Sequence, residues 1–467
     1  MEDALKRKTF KLKLLFFSMR YWNPEIETMS ADLQREMQSR KLRNMVRQAF
    51  NNSPFYRSFF HQNRLDPSDI NTMSDLTKIP LTRKEDLVDN PREFILQPNE
   101  ISLTKTLPLE KRLRQAYDRF TFDEKIATEL KHEYKPVMFV VSSGRSSGAP
   151  SPVFYTRYDL EIMAEIGGRI GVTAGMTDES FLHIAFTAGL NMAFWQCVEA
   201  SEALGCMSIR HGTEKVLQQA LILDRFGVSE LAATPSFIDM LSREAERMDL
   251  NYSKLKTIMT AGERFPAGMK KRIRSRFEKL GSEVRILEAY GSTEMKVAFV
   301  ECEEGGFHTM PDTHFVEILD EKTLEPVGER ERGVLAFTHI DFRGSVFLRF
   351  LTGDICEGGI TNEQCECGRT TPRIMGPIGR MRDYGVNIKG RNINMNALED
   401  MFAEACDSYL ILVEKDTLTI RVGCPRGNLS KTLEEKFSFK PEMIEEEKDT
   451  LEKEIAEKWK GRRVIFL

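Results

Sequence analysis

Residues 137–152 read VMFVVSSGRSSGAPSP. Val137 to Val141 is a β-branched and aromatic run of strand length, and it predicts a buried strand. The run stops at Ser142 and opens into a loop of small residues, hydroxyls and glycine. Glycine tolerates positive φ and close backbone approach, so successive N–H groups of such a loop can converge on one anion. Ser143, Gly144, Arg145, Ser146, Ser147 and Gly148 are therefore expected to cradle phosphate. Two catalytic rivals and an idle surface turn compete for the same residues. A Walker A loop needs Gly-Lys-Ser/Thr at its end, and Ala149 follows Gly148 here. Gly144-Arg145-Ser146-Ser147-Gly148 also fits the nucleophile elbow of a serine hydrolase using Ser146. That elbow must run directly into a helix, whose first turns Pro150 and Pro152 would disturb. The loop alone leaves these readings open.

The chain beyond the loop supplies the frame. A helix is expected around 158–170, then a strand at Phe181–Ala185, helices at Met192–Ala203 and Thr213–Phe226, and a strand at Glu230–Ala233. A helix from Ser236 to Met248 and a strand at Thr257–Thr260 follow. Short apolar strands alternating with helices indicate α/β architecture with a largely parallel sheet. Past Val297 the strands Phe315–Leu319 and Val334–Thr338 indicate a β-rich subdomain. Gly376-Pro377-Ile378-Gly379 reads as a hinge, which predicts a large N-terminal domain over 1–379 and a small, mobile α+β domain over 380–467. In the latter, Ile444, Leu451, Ile455 and Trp459 are expected on one face of a last helix. Glu445–Glu447 is expected on its solvated face, and Val464–Leu467 as a strand. Ahead of the loop, Leu33, Met37, Leu42, Met45, Val46 and Phe50 recur at helical spacing until Asn52-Ser53-Pro54.

Composition excludes several classes. The chain has 467 residues, 41% hydrophobic and 30% charged, which suits a two- or three-domain globular protein. Its 67 basic and 71 acidic side chains give a net charge of −4, so no basic field argues for nucleic acid. No apolar run approaches the roughly 18 residues of a membrane span. The N-terminus lacks the apolar length and cleavage site of a signal peptide, so a cytoplasmic protein is expected. Eight cysteines are scattered through a large chain, which argues against a disulfide framework.

The order of motifs along the chain resembles the phenylacetate–CoA ligase family of the adenylate-forming superfamily. The likeness runs from Tyr21-Trp22-Asn23-Pro24-Glu25, with Glu27, through Ser53-Pro54-Phe55-Tyr56 and Pro80-Leu81-Thr82-Arg83-Lys84-Glu85-Asp86-Leu87 to the loop itself. It continues through Phe186-Thr187-Ala188-Gly189-Leu190, Ala233-Thr234-Pro235-Ser236, Ala261-Gly262-Glu263 and Glu288-Ala289-Tyr290-Gly291-Ser292-Thr293-Glu294-Met295. Arg349 to Asp354, Cys365 to Thr370, Gly379-Arg380 and Lys389 to Ile393 complete it. The resemblance implies ATP-dependent activation of a carboxylic acid, followed by transfer to a thiol such as CoA or to another nucleophile. It puts an acyl pocket at Phe181, Phe186, Phe194 and Trp195, so an aromatic acid is expected. It implies that Tyr290, Gly291 and Ser292 meet the nucleotide, with Gly262 and Glu263 on the other side of the base. It likewise implies that Thr293 touches the α-phosphate, Glu294 holds Mg²⁺, Asp354 grips the ribose and Arg380 lies near it at the hinge. A small-molecule acid is the expected partner, with a homodimer as one expected assembly.

Three departures from the family pattern stand out. Ala149 replaces a usual lysine in the loop, and Arg145 could supply the charge. The basic residues Lys458, Lys460, Arg462 and Arg463 precede or enter the last strand, so none matches the family's C-terminal lysine by position. The spacing from Asp383 to Lys389-Gly390 is one residue longer than usual. Cys302, His308, Cys365 and Cys367 form a candidate structural zinc set of three thiolates and an imidazole, which resemblance to metal-bearing relatives supports. His314 and Cys356 are spare candidates.

Overall fold

The computed structural model describes residues 20–98, 133–142, 150–381, 386–388, 390–415, 417–425, 429–437, 441–459 and 461–467. Ser143 to Gly148, Asp383, Lys389 and Lys460 therefore lie outside the described residues. Strands β1 (Pro136–Val141) and β2 (Pro152–Thr156) pair antiparallel and bring the two ends of the loop together. Ser142 N donates to Ser151 O at 3.0 Å, and Ser151 N donates to Ser142 Oγ at 3.2 Å. The elbow reading fails here, because the chain leaves the loop as a returning strand and not as a helix. The expected burial of Val137–Val141 also needs correction. Val137 and Phe139 are exposed, since a two-stranded hairpin covers only one of its faces.

Thr156 caps the long helix α1 (Arg157–Thr173) with its side chain, and Asp159 closes the box by accepting from Thr156 N. The main sheet then grows by crossover: β3 (Phe181–Ala185), α2 (Met192–Leu204), β4 (Met207–Arg210), α3 (Val216–Phe226), β5 (Glu230–Ala233), α4 (Pro235–Arg247), β6 (Thr257–Thr260), α5 (Ala267–Lys279) and β7 (Arg285–Gly291). The parallel order is β4-β3-β5-β6-β7, extended antiparallel by β8 (Ala298–Glu301) and β9 (Phe307–His308). β5 and β6 are buried along their whole length, as the continuous apolar runs require. Strand order reverses beside β3, so the crevice at the carboxyl ends of β3 and β5 is where such a sheet binds ligands. α3 begins at Val216, three residues later than expected, because Lys215 takes positive φ.

β10 (His314–Leu319), β11 (Gly333–His339), β12 (Phe350–Cys356) and a later strand, Ile378–Arg380, form the antiparallel subdomain. The hinge-like Ile378 and Gly379 thus pair with Cys356 and Ile355, and Arg380 with Asp354. Beyond them, Cys406–Glu414 and Thr417–Pro425 pair with Glu442–Glu446 and Val464–Phe466 in a four-stranded sheet. Ile444 is therefore in a strand and not on the last helix, which spans Lys448–Trp459 and buries Leu451 and Ile455. Glu445 and Glu446 leave the helix face for the same strand, where Glu446 takes a bidentate ion pair from Arg421. No helix among the described residues is long and apolar enough to cross a membrane.

Three buried histidines tie stability to pH. His183 Nε2 donates to Gln219 Oε1 at 2.7 Å, and His314 pairs with Met295 O and Thr313. His339 packs against Phe342. Burial pushes His183 and His314 down to about 4, and His339 well below its usual range. The unfolded chain takes up protons below about pH 6.5 while these rings stay neutral in the fold. Stability is therefore full above pH 6.5 and falls as pH drops towards 4, by up to roughly 1.4 kcal/mol per pH unit for each ring. Thermal midpoints between pH 7.5 and 5 check this; a midpoint unchanged from pH 6.5 to 5 would contradict it.

Candidate active site

Tyr290 and Gly291 end β7 on the sheet's carboxyl edge. A Cβ on Gly291 would lie 2.9 Å from Ala298 Cα and Val297 O, so only glycine lets the returning strand pass this close. Tyr290 donates its hydroxyl to Asp354 Oδ2 at 2.8 Å, joining the main sheet to the antiparallel subdomain. Arg380 stands opposite Asp354 in the ladder, and its Nε lies 3.1 Å from Asp354 Oδ1. Burial pushes the Asp354 carboxyl up, against the pull of Arg380 and the tyrosine hydroxyl. Burial, then the neighbouring Asp354 charge, raises the Tyr290 phenol well above its usual range.

Glu294 is 4% exposed, and its Oε1 accepts no hydrogen bond among the described residues. Lys84 Nζ lies 3.3 Å from that oxygen as an ion pair without hydrogen-bond geometry. Ser292 and Thr293 make the turn: their carbonyls accept from Met295 N and Lys296 N. Gly262 follows β6 with φ +83°, and Glu263 then accepts from Ser236 N, at the start of α4, at 3.2 Å. Arg462, from the end of the chain's last turn, lies 3.8 Å from Glu263. The structure thus brings Tyr290, Gly291, Asp354 and Arg380 together, and Glu294 with Lys84. Glu263 sits with Ser236 and Arg462.

The family model for "AMP-binding enzyme" matches residues 90–340. The chain belongs to the AMP-binding enzyme family. It is 28% identical over 410 residues to the phenylacetate-coenzyme A ligase of Thermus thermophilus, covering 85% of this chain and 81% of that one. The phenylacetate-coenzyme A ligase of Escherichia coli is 26% identical over 425 residues, covering 88% and 87%. Among solved structures, 2-hydroxyisobutyryl-CoA ligase in the postadenylation state with 2-HIB-AMP superposes with a TM-score of 0.78 at 20% identity, covering 97% of this chain and 94% of that chain. The resemblance in motif order and the α/β architecture are both upheld by these matches, and this family member is an adenylate-forming enzyme.

Two sequence expectations resolve differently at the edges of the site. Cys302, His308, Cys365 and Cys367 present one ligand atom each, all within 4.8 Å of one another. Cys302 Sγ and Cys365 Sγ are 3.6 Å apart, and Cys367 Sγ and His308 Nε2 3.4 Å. Tetrahedral zinc with Zn–S near 2.3 Å and Zn–N near 2.0 Å sets those edges at about 3.8 and 3.5 Å. His308 Nδ1 bonds Thr371 Oγ1 at 2.9 Å, which leaves Nε2 for a metal. The spare candidates are elsewhere: His314 bonds Met295 O, and Cys356 Sγ donates to Gly359 O and Met375 O. The four aromatics expected at the acyl pocket do not share one face. Phe186 and Phe194 join the core on one side of the sheet, with Trp195 packed against it, while Phe181 packs into the core on the other.

Proposed function

We propose that this chain activates a carboxylic acid with ATP, forming an acyl-adenylate and pyrophosphate, and then transfers the acyl group to coenzyme A. The observation that carries the reading is the Tyr290–Asp354–Arg380 junction on the carboxyl edge of the sheet of an AMP-binding enzyme. Tyr290 and Gly291 stack on and admit the adenine, with Gly262 and Glu263 on its other side. Asp354 accepts from the ribose hydroxyls, Arg380 holds Asp354, and Ser292 and Thr293 contact the α-phosphate. The Ser143–Gly148 cradle takes the remaining phosphates. A buried carboxylate with one oxygen that accepts no hydrogen bond suits a hard cation, so Glu294 is assigned to Mg²⁺, which neutralises phosphate charge when bound. Catalysis of this step is positioning and charge neutralisation. The 380–467 module then rotates to admit the thiol.

The acid is proposed to be aromatic. Curated relatives are phenylacetate-coenzyme A ligases, and Phe186, directly after β3, and Phe194, in the first turn of α2, lie in the buried core at that end of the strand. Zinc is proposed as a structural metal on Cys302, His308, Cys365 and Cys367. Carboxylate-dependent ATP–pyrophosphate exchange tests the function across a panel of aryl and fatty acids. Exchange with none of them would sink the reading. Asp354→Ala removes a charged hydrogen-bonding partner, so it should raise the KM for ATP roughly ten- to hundred-fold, with the KM for the acid little changed.

A further inference from the structure

The Lys84 ammonium is a cation of the site to which the motif reading assigns no role. The geometry points to Lys84 as a fixed phosphate-binding cation of the adenylation step, its ammonium contacting the phosphate oxygens of ATP beside Glu294. This rests on the proposed adenylate-forming function.

Three observations carry it. Lys84 is held by the body of the protein and not by the 380–467 module. Just before it, Thr82 N donates to Arg349 O, Leu351 N donates to Thr82 O, and Thr82 Oγ1 donates to Leu348 O. Those bonds knit the Pro80–Lys84 segment to the start of β12, the strand that carries Asp354. Next, the lysine is drawn inward: its side chain is 17% exposed, where a lysine in a charged Lys-Glu-Asp run ordinarily extends into water. Finally, its partner is Glu294, in an ion pair that lacks hydrogen-bond geometry. A cation entering at Glu294 would displace the ammonium from this carboxylate and leave it free for the phosphates. The Lys84 charge is also felt at Asp354, where it favours the ionised carboxylate.

The step balances without proton transfer. A carboxylate oxygen of the acid bonds to the α-phosphorus, and the bond from that phosphorus to the bridging oxygen breaks. The electron pair leaves on pyrophosphate, and Lys84 stays protonated throughout. Its contribution is to offset charge that builds on the bridging and leaving oxygens.

The test uses the full chain with MgATP, phenylacetate as the acid, and phenylacetyl-adenylate. Lys84→Met should weaken MgATP binding at least tenfold by calorimetry and slow ATP–pyrophosphate exchange roughly a hundredfold. Thioester formation from supplied phenylacetyl-adenylate and CoA should stay within threefold. Lys84→Arg should recover most of the exchange. Equal losses in both half-reactions would mean that Lys84 only supports the fold, and unchanged MgATP binding would also overturn the proposal. Should Lys84→Met not fold, Lys84→Gln and Lys84→Arg decide by the same two readouts. Arg462→Ala is the comparator: if it stops exchange while Lys84→Met spares it, the last turn supplies the charge and Lys84 does not. Wild-type protein that binds MgATP but shows no exchange with any acid of the aryl and fatty-acid panel would sink the functional reading alone, leaving Lys84 to be judged on binding.

Discussion

Lys296→Met should lower the thermal midpoint by at least about 5 °C and cost roughly 3 kcal/mol or more. Lys296 Nζ and Asp159 Oδ2 are 2.9 Å apart, and both side chains are fully buried. Burial lowers the lysine's pKa, and only Asp159 opposes it strongly. Asp159 accepts three backbone N–H bonds as well, from Thr156, Arg343 and Gly344. Removing the ammonium leaves a buried carboxylate with backbone donors but no countercharge. Breaking a buried pair from one side is costly for this reason. The position matters for function too. Asp159 closes the capping box of the helix that follows the β1–β2 hairpin, and Lys296 closes the turn that presents Thr293 and Glu294. One ion pair therefore locks the segments beside the proposed nucleotide site, and exchange activity should fall along with stability. Arg35→Met is the control, because the Arg35–Asp32 pair is 71% and 90% exposed and worth at most about 1 kcal/mol. If Lys296→Met unfolds no earlier than Arg35→Met, the lock does not exist.

The fold was legible where burial on both faces writes a continuous apolar run. Phe181–Ala185, Glu230–Ala233 and Thr257–Thr260 are strands at the expected residues. Met207–Arg210 was not, because this edge strand exposes Met207 and Arg210 and carries no such run. Ala267–Lys279 hides its apolar positions, Met269, Ile273 and Phe277, among basic residues. Ile444 was misplaced because Ile444, Leu451 and Ile455 fit a helical face whether or not the chain turns between them. The grouping of Tyr290 with Asp354 in the candidate site was legible only through motif order, since no local pattern joins them across two sheets. Lys84 and the Lys296–Asp159 pair were not. A lysine in a charged run reads as solvated, and what draws Lys84 inward is the Thr82 tether to Leu348–Leu351, over 260 residues away in sequence.

Cys365→Ser should leave less than about half an equivalent of zinc in purified protein, lower the thermal midpoint by several degrees and raise the KM for ATP. The reason lies in what the Cys365–Thr370 loop holds. Arg369 donates to Glu27 at 2.7 Å as a buried ion pair and reaches Cys367 Sγ at 3.7 Å. Tyr21 Oη donates to Cys367 O, and Thr370 bonds Glu27 O and Met29 O. Gly368, at φ +87°, admits the Tyr21 hydroxyl where any Cβ would collide with it. A metal that closes this loop therefore fastens Arg20–Ser30 to the body. It would also fix β9, because His308 is a proposed ligand and the preceding Phe307 ring packs 6.2 Å from Tyr290. Zinc-finger peptides gain about 10–16 kcal/mol from such a site. Here a hydrophobic core shares the work, so partial loss of stability is expected and not unfolding. The order of effects discriminates. Zinc content should fall first, the midpoint next, and ATP binding through Tyr290 last, while acid-binding constants stay within twofold. Full zinc occupancy in Cys365→Ser, or an unchanged midpoint in protein stripped by a chelator, would remove the metal from this account.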